Sequence, residues 1–262
     1  MRVILKNNTN DCSTWVAGYI AYSIKKAKPT AKKPFILGLP TGSTPLGVYK
    51  ELIKLYQNEK ISFEHVVTFN MDEYIGLSPE DKNSYHYFMF ENFFNHVNIN
   101  PKNIHILNGL TKDYAKECED YENAIKAYGG IDLMFGGIGS DGHIAFNEPF
   151  SSFNSRTRIK TLAEETIKDN SRFFDNDISK VPSQALTVGI ATIMDAKEVI
   201  IMATGENKAN AIKSAIEDPI NHKCPASILQ MHQHGIIVCD ETASKELSSE
   251  TIKYFKDIEN RI

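Results

Sequence analysis

The sequence predicts an α/β protein: an open, mostly parallel sheet with helices on both faces, in a single domain spanning residues 1–262, with a lid-like insert around 151–183. Three observations lead there. Short apolar, β-branched runs alternate with stretches of helical periodicity, the order that a parallel sheet with crossover helices requires. The runs are apolar on both faces, as strands covered from both sides must be. The most Gly-rich stretch of the chain follows one of these runs, at the kind of strand-to-helix turn where open α/β sheets keep their binding loops.

Taken in order, strands are expected at residues 2–5, 34–39, 66–70, 104–107, 131–135, 199–203 and 235–239. Helical patterns fall between them at 14–27, 45–58, 84–94, 113–128 and 206–216. The first helix is expected to be capped near Asp11 or Ser13. Residues 15–24 are apolar enough to raise the question of a signal peptide, but polar residues 7–11 precede them and no small-residue cleavage site follows. The second helix has Pro45 at its first position, where the missing N–H costs nothing. Residues 151–183 are polar and weakly periodic, too long for a plain connection, which favours a lid or binding role.

Bulk properties exclude several classes. A net charge of -4 without a basic block argues against nucleic acid or anionic membrane as partners through bulk electrostatics, so any anion must be held by a local site. No run approaches the roughly 20 apolar residues of a spanning helix. Cys12, Cys118, Cys224 and Cys239 are widely separated, with no CxxC, which is neither a zinc pattern nor a disulfide framework; reduced thiols in a cytoplasm are expected.

The chemistry concentrates in three loops. The stretch from Gly136 to Pro149 sets Asp141, His143 and Glu148 into a turn with glycines at 136, 137, 139 and 142. A carboxylate beside an imidazole fixes its tautomer and raises its basicity, so this trio suits proton handling. No nucleophile elbow and no HExxH appears, and no second His supports a metal; no metal is expected. Gly42, Ser43 and Thr44 stand just before a helix, where free amides and the helix dipole make a phosphate cradle, although Ser and Thr favour helix caps in any case. It is not a Walker A loop, and a sugar phosphate fits better than a dinucleotide. Asp72 and Glu73 follow another strand end; of the two, Asp72 lies nearer the strand and is the candidate for the site. Arg172 and Lys208 are candidate phosphate partners. Arg156, Arg158 and Lys160 alternate beside Ser151, Ser152 and Thr161, a set that suits either a second anion or a solvated loop.

The motifs at 37–47 (LGLPTGSTPLG), 69–74 (FNMDEY), 136–149 (GGIGSDGHIAFNEP) and 187–196 (TVGIATIMDA) together resemble the glucosamine-6-phosphate deaminase family, in register from about residue 1 to 245. The resemblance implies a Rossmann-like single domain, a homohexamer and no metal or organic cofactor. It also implies conversion of glucosamine 6-phosphate and water to fructose 6-phosphate and ammonia. By position, His143 would open the sugar ring, Asp141 and Glu148 would hold and tune it, and Asp72 would move the proton between C2 and C1. Gly42, Ser43, Thr44, Arg172 and Lys208 would hold the phosphate. An activator site for N-acetylglucosamine 6-phosphate, between subunits, would comprise Ser151, Arg158, Lys160, Thr161 and Tyr254. The rival readings are a 6-phosphogluconolactonase-like hydrolase, which does not need the Asp72 proton shuttle, and a non-catalytic sugar-phosphate sensor, which would carry a DNA-binding segment.

Overall fold

The structure is a computed structural model that describes residues 1–259 and 261. The chain runs β1 (Arg2–Lys6), α1 (Thr9–Ala27), β2 (Phe35–Leu39), α2 (Leu46–Gln57), β3 (Val66–Asn70), β4 (Asp72–Tyr74), α3 (Tyr85–Asn92), β5 (Ile104–His105), α4 (Tyr114–Ala127) and β6 (Leu133–Gly137). It continues β7 (Arg158–Thr161), α5 (Glu164–Asn170), β8 (Gln184–Thr187), α6 (Ile190–Met194), β9 (Glu198–Ala203), α7 (Ala209–Ile216), β10 (Gly235–Asp240) and α8 (Ser249–Glu259).

The expected apolar runs build one parallel sheet in the order β1-β10-β9-β6-β2-β3-β5. Side chains alternate between its two covered faces. On β6, Leu133 and Phe135 join the core beneath α1, α2 and α3, while Met134 joins the core beneath α4 and α7; β9 divides in the same way. This is the period-2 alternation of a strand buried on both sides, and it explains why the runs read as continuously apolar.

Several boundaries differ from the sequence reading. Helix α1 starts at Thr9, and its cap is Asn8, whose side chain accepts the Asp11 N–H at 3.0 Å; Asp11 sits inside the first turn. Pro45 stands one place outside α2. The strand expected from 131 begins at Leu133, because the Asp132 carboxylate takes the Ile36 N–H at 2.8 Å in place of a ladder partner.

The larger difference is a second sheet. Strands β4, β8 and β7 form an antiparallel three-stranded sheet, so the polar insert is ordered and contributes both β7 and α5. Its register sets Asp72 opposite Thr187 and Thr187 opposite Arg158. A separate apolar cluster of Tyr74, Phe146, Leu162, Phe174 and Ala185 fastens this sheet and the insert to the loop after β6. Helix α8, which lies outside the elements expected from the sequence, is tied to β1 by Arg2, whose guanidinium donates to both Glu259 oxygens at 2.5 and 2.6 Å. All four cysteines are buried and free. Among the described residues, no helix is long and apolar enough to cross a membrane.

Candidate active site

The direction of strand addition reverses between β2 and β6, the position at which an open α/β sheet forms a crevice beyond its carboxyl edge. A cleft of ≈ 140 Å³ lies there. It is lined from four loops: Thr41 to Thr44 after β2, Met71 and Asp72 after β3, Gly137 to Phe146 after β6, and Lys208 after β9. Helix α5 and the turn behind it close one side with Thr166, Asn170 and Arg172. Of the residues expected in the site, Gly42, Ser43, Thr44, Asp72, His143, Arg172 and Lys208 therefore meet in one cleft, although they span most of the chain.

The cationic end of the cleft is formed by Lys208 and Arg172. Burial, and then the neighbouring Arg172 charge, push the Lys208 ammonium below its ordinary range. The Arg172 guanidinium rests over the Phe173 ring at 4.8 Å. Two like charges facing the hydroxyls of Ser43 and Thr44 at the start of α2 leave a site that an anion would relieve.

The acid–base end is formed by Asp72 and His143. Asp72 is buried at 7 % exposure, and burial, reinforced by the adjacent Glu73, raises its carboxyl to about 8. Glu73 itself is turned away and accepts the N–H groups of Tyr74, Tyr85 and His86 at 2.8, 2.9 and 2.8 Å, capping α3. Thus of the two adjacent acids Asp72 faces the cleft, and its neighbour fixes the helix behind it.

His143 Nδ1 lies 2.7 Å from Asp141 Oδ1, in a contact bent away from the ring N–H direction. Asp141 Oδ1 also accepts the His143 backbone N–H at 3.1 Å. Burial would raise the Asp141 carboxyl, but the imidazole and its hydrogen bonds outweigh it, and Asp141 sits below its usual value. The loop closes tightly on this pair. The Gly139 N–H donates to the His143 carbonyl at 2.8 Å, and a Cβ at position 139 would collide with the imidazole. Gly139 is therefore the residue that lets His143 fold back beneath the cleft.

Glu148 departs from the expected trio. Its hydrogen bonds go to the insert: Oε1 accepts the Ala163 N–H at 2.7 Å and the Thr166 hydroxyl at 2.6 Å, and Lys160 Nζ lies 3.4 Å from Oε2. The carboxylate stands between the loop after β6 and the basic strand β7. Arg158 reaches the same loop by donating to Asn147 Oδ1 at 2.9 Å, and Arg156 is taken up by Asp195 at 2.5 Å. Among the described residues, the buried Ser151 hydroxyl has no hydrogen-bond partner. Thr161 is exposed on β7. Tyr254 projects 60 % exposed from α8, which packs against β1, and its ring meets Phe255 edge-on. Strand β7 packs instead against α4.

Sequence reading passed over Tyr85, Asn147 and Thr166. Tyr85 and Thr166 line the cleft, and fully buried Asn147 donates to the Ile144 and Val188 carbonyls at 3.0 and 2.8 Å while accepting from Arg158. Asn147 had a sequence signal, an amide inside the Gly-rich motif; the other two had none.

A sheet-edge cleft that brings two cations together with a buried carboxylate and an imidazole is the kind of site that an enzyme acting on a sugar phosphate needs. The comparisons identify which one. The family model described as glucosamine-6-phosphate isomerases/6-phosphogluconolactonase matches residues 7–238, and the chain belongs to that family. A glucosamine-6-phosphate deaminase of Treponema denticola is 61 % identical over 99 % of this chain and 96 % of its own. The one of Glaesserella parasuis is 58 % identical over 100 % and 99 %. A solved structure described as a monomeric glucosamine-6-phosphate deaminase superposes with a TM-score of 0.90 at 39 % identity, covering 94 % of this chain and all of the other. A 6-phosphogluconolactonase from Thermotoga maritima shares the fold, with a TM-score of 0.72 at 18 % identity over 92 % and 99 % of the two chains.

Proposed function

We infer that this chain is a glucosamine-6-phosphate deaminase, converting glucosamine 6-phosphate and water to fructose 6-phosphate and ammonia. The observation that carries the reading is a buried carboxylate, Asp72, raised to about 8 and facing the same cleft as His143 and two cations. An aldose-to-ketose conversion needs a base whose conjugate acid returns the proton it has taken, and a group with a pKa near the working pH does both.

In this mechanism Gly42, Ser43, Thr44, Arg172 and Lys208 hold the phosphate, which orients the far end of the sugar. His143, held by Asp141, takes the proton from the anomeric hydroxyl and returns one to the ring oxygen, opening the pyranose. Asp72 takes the C2 proton while O1 gains the proton that the substrate's 2-ammonium group gives up, leaving an enolamine, and then delivers its proton to C1, leaving an iminium at C2. The iminium adds water and expels ammonia. Glu148 ties this loop to α5 and Lys160, so its part is to set the loop's position.

The direct test is an ammonia-coupled assay with glucosamine 6-phosphate. Ammonia release is expected, and its absence together with hydrolysis of 6-phosphogluconolactone would replace this reading with the lactonase one. Asp72→Asn is expected to stop hydrogen exchange at C2 while sugar phosphate still binds.

The finer assignments are part of the same proposal. N-acetylglucosamine 6-phosphate acts as an activator held by Ser151, Arg158, Lys160, Thr161 and Tyr254, with Tyr254 supplied by a second copy in a homohexamer. The unpartnered Ser151 hydroxyl beside a basic strand supports it, as does the Lys160–Glu148 contact that links this strand to the catalytic loop. The exposed Phe150 and Met231 support assembly. The protein works in the cytoplasm, in amino-sugar breakdown, as one domain over residues 1–262, without metal or organic cofactor.

A further inference from the structure

We propose that Asp240, at the carboxyl end of β10, is a positioning residue for the phosphate grip: it pins the Gly205 turn that delivers Lys208. The proposal rests on reading Lys208 as a phosphate ligand.

Asp240 is a buried acid, 4 % exposed, that the mechanism does not use. Among the described residues it has no ion-pair partner; hydrogen bonds alone hold it. Thr9 Oγ1 donates to Oδ2 at 3.2 Å, Thr242 Oγ1 and the Ala243 N–H donate to Oδ1 at 2.8 Å each, and the Gly205 N–H stands 3.2 Å from both oxygens. A buried carboxylate needs such donors to offset its desolvation. Capping its own turn would require only Thr242 and Ala243. The Gly205 bond is of another kind, because it crosses to the neighbouring strand.

That bond falls where the sheet can no longer hold the chain. Strands β9 and β10 stay in register to the pair Ala203–Cys239, and two residues later the backbone turns at Gly205 with φ +91° and ψ 151°. This conformation is open to glycine and costly for other residues. The Gly205 N–H is held by Asp240, and its carbonyl accepts the Lys208 N–H at 3.1 Å. One residue thus links the carboxylate to the backbone of Lys208, and α7 begins immediately after it. The second tether on this turn, Lys245 on Glu206, is exposed and contributes little.

Asp240→Asn keeps the volume and replaces one acceptor oxygen with a donor, so Gly205 loses its symmetric seat. The variant is expected to raise KM for glucosamine 6-phosphate and the inhibition constant of inorganic phosphate together. The expected rise is roughly tenfold, within what a misplacement of about an ångström produces, with a much smaller change in kcat. In a Lys208→Ala background the same substitution should add nothing, since both act through one contact. Thr242→Val removes another hydrogen bond from the same carboxylate and is expected to lower Tm while leaving KM in place. A loss of Tm in Asp240→Asn without the joint rise, or a rise that persists undiminished without Lys208, overturns the proposal. Gly205→Ala disturbs the turn and spares the carboxylate; it must show the same joint rise even if Asp240→Asn fails to fold, and a normal KM in that variant also refutes the proposal. If Lys208→Ala alone leaves phosphate inhibition unchanged, the phosphate assignment itself is wrong, and that result is read before any Asp240 variant is made.

Discussion

Replacing Asp72 by Asn should change how the folding stability depends on pH, in a direction and by an amount that follow from burial. The folded carboxyl titrates at about 8, against an ordinary 3.8. Between those values the folded state holds a proton that the unfolded state has released. Stability therefore falls as pH rises across that window, by up to about 1.4 kcal/mol per unit. Above about 8 both states are ionised and the loss is complete. The substituted amide carries no such proton, so the difference between the two proteins isolates the group. From pH 6 to 8 the wild type should lose about 2 kcal/mol relative to Asp72→Asn, with the difference flattening above pH 8. Urea unfolding of both proteins at half-unit steps from pH 5.5 to 9 measures this. The same ionisation should appear as an acid limb in kcat/KM, with activity rising toward pH 8 as the free base forms. Stability curves that run parallel throughout would mean that Asp72 has an ordinary carboxyl, and the argument from burial would fail.

Other outcomes follow from single contacts. Gly139→Ala drives a methyl group into the His143 ring and should cost at least about 100-fold in kcat with a modest loss of Tm, read by steady-state kinetics and thermal melting. Arg158→Ala should abolish the response to N-acetylglucosamine 6-phosphate while leaving the rate at saturating substrate nearly intact; an unchanged response removes the activator assignment. Glu122 accepts the Thr157 N–H at 2.9 Å and the hydroxyls of Thr157 and Thr192 at 2.6 and 2.5 Å. Glu122→Ala leaves these buried donors unpaired and should destabilise by about 3 kcal/mol in urea unfolding. Light scattering on the purified protein tests the hexamer, and a monomer would also remove the shared activator site.

The parallel sheet was legible because β2, β6, β9 and β10 at its centre are almost free of polar side chains, and nothing but burial on both faces requires that. The small sheet was not. Its strands read DEY, RIKT and QALT, and the polar positions that make Lys160 and Arg158 useful also hide the alternation of a half-buried strand. Helix α8 has no fully buried residue, and its short apolar stripe of Ile252, Phe255 and Ile258, the first two of which pack partly buried against the core, was passed over. The site was legible where residues lie in compact motifs after strands, as His143 and Asp72 do. Motif adjacency does not encode where the Glu148 carboxylate points. It stands five residues from His143 in sequence, yet the positive φ of Ala145, +53°, and the turn after it swing the carboxylate toward Ala163 and Thr166. Tyr85 and Thr166 reach the cleft only through tertiary packing, which no spacing encodes.

The cleft is assembled from loops that leave four separate strands of one sheet. Each loop is anchored at the strand it leaves, so a substitution in one need not disturb the frame that carries the others. Descendants of such a frame can acquire a new reaction by rewriting the segment after β3 while inheriting the loops after β2 and β9 unchanged. For protein engineers it means that substrate choice and bond chemistry in this scaffold are addressable one segment at a time.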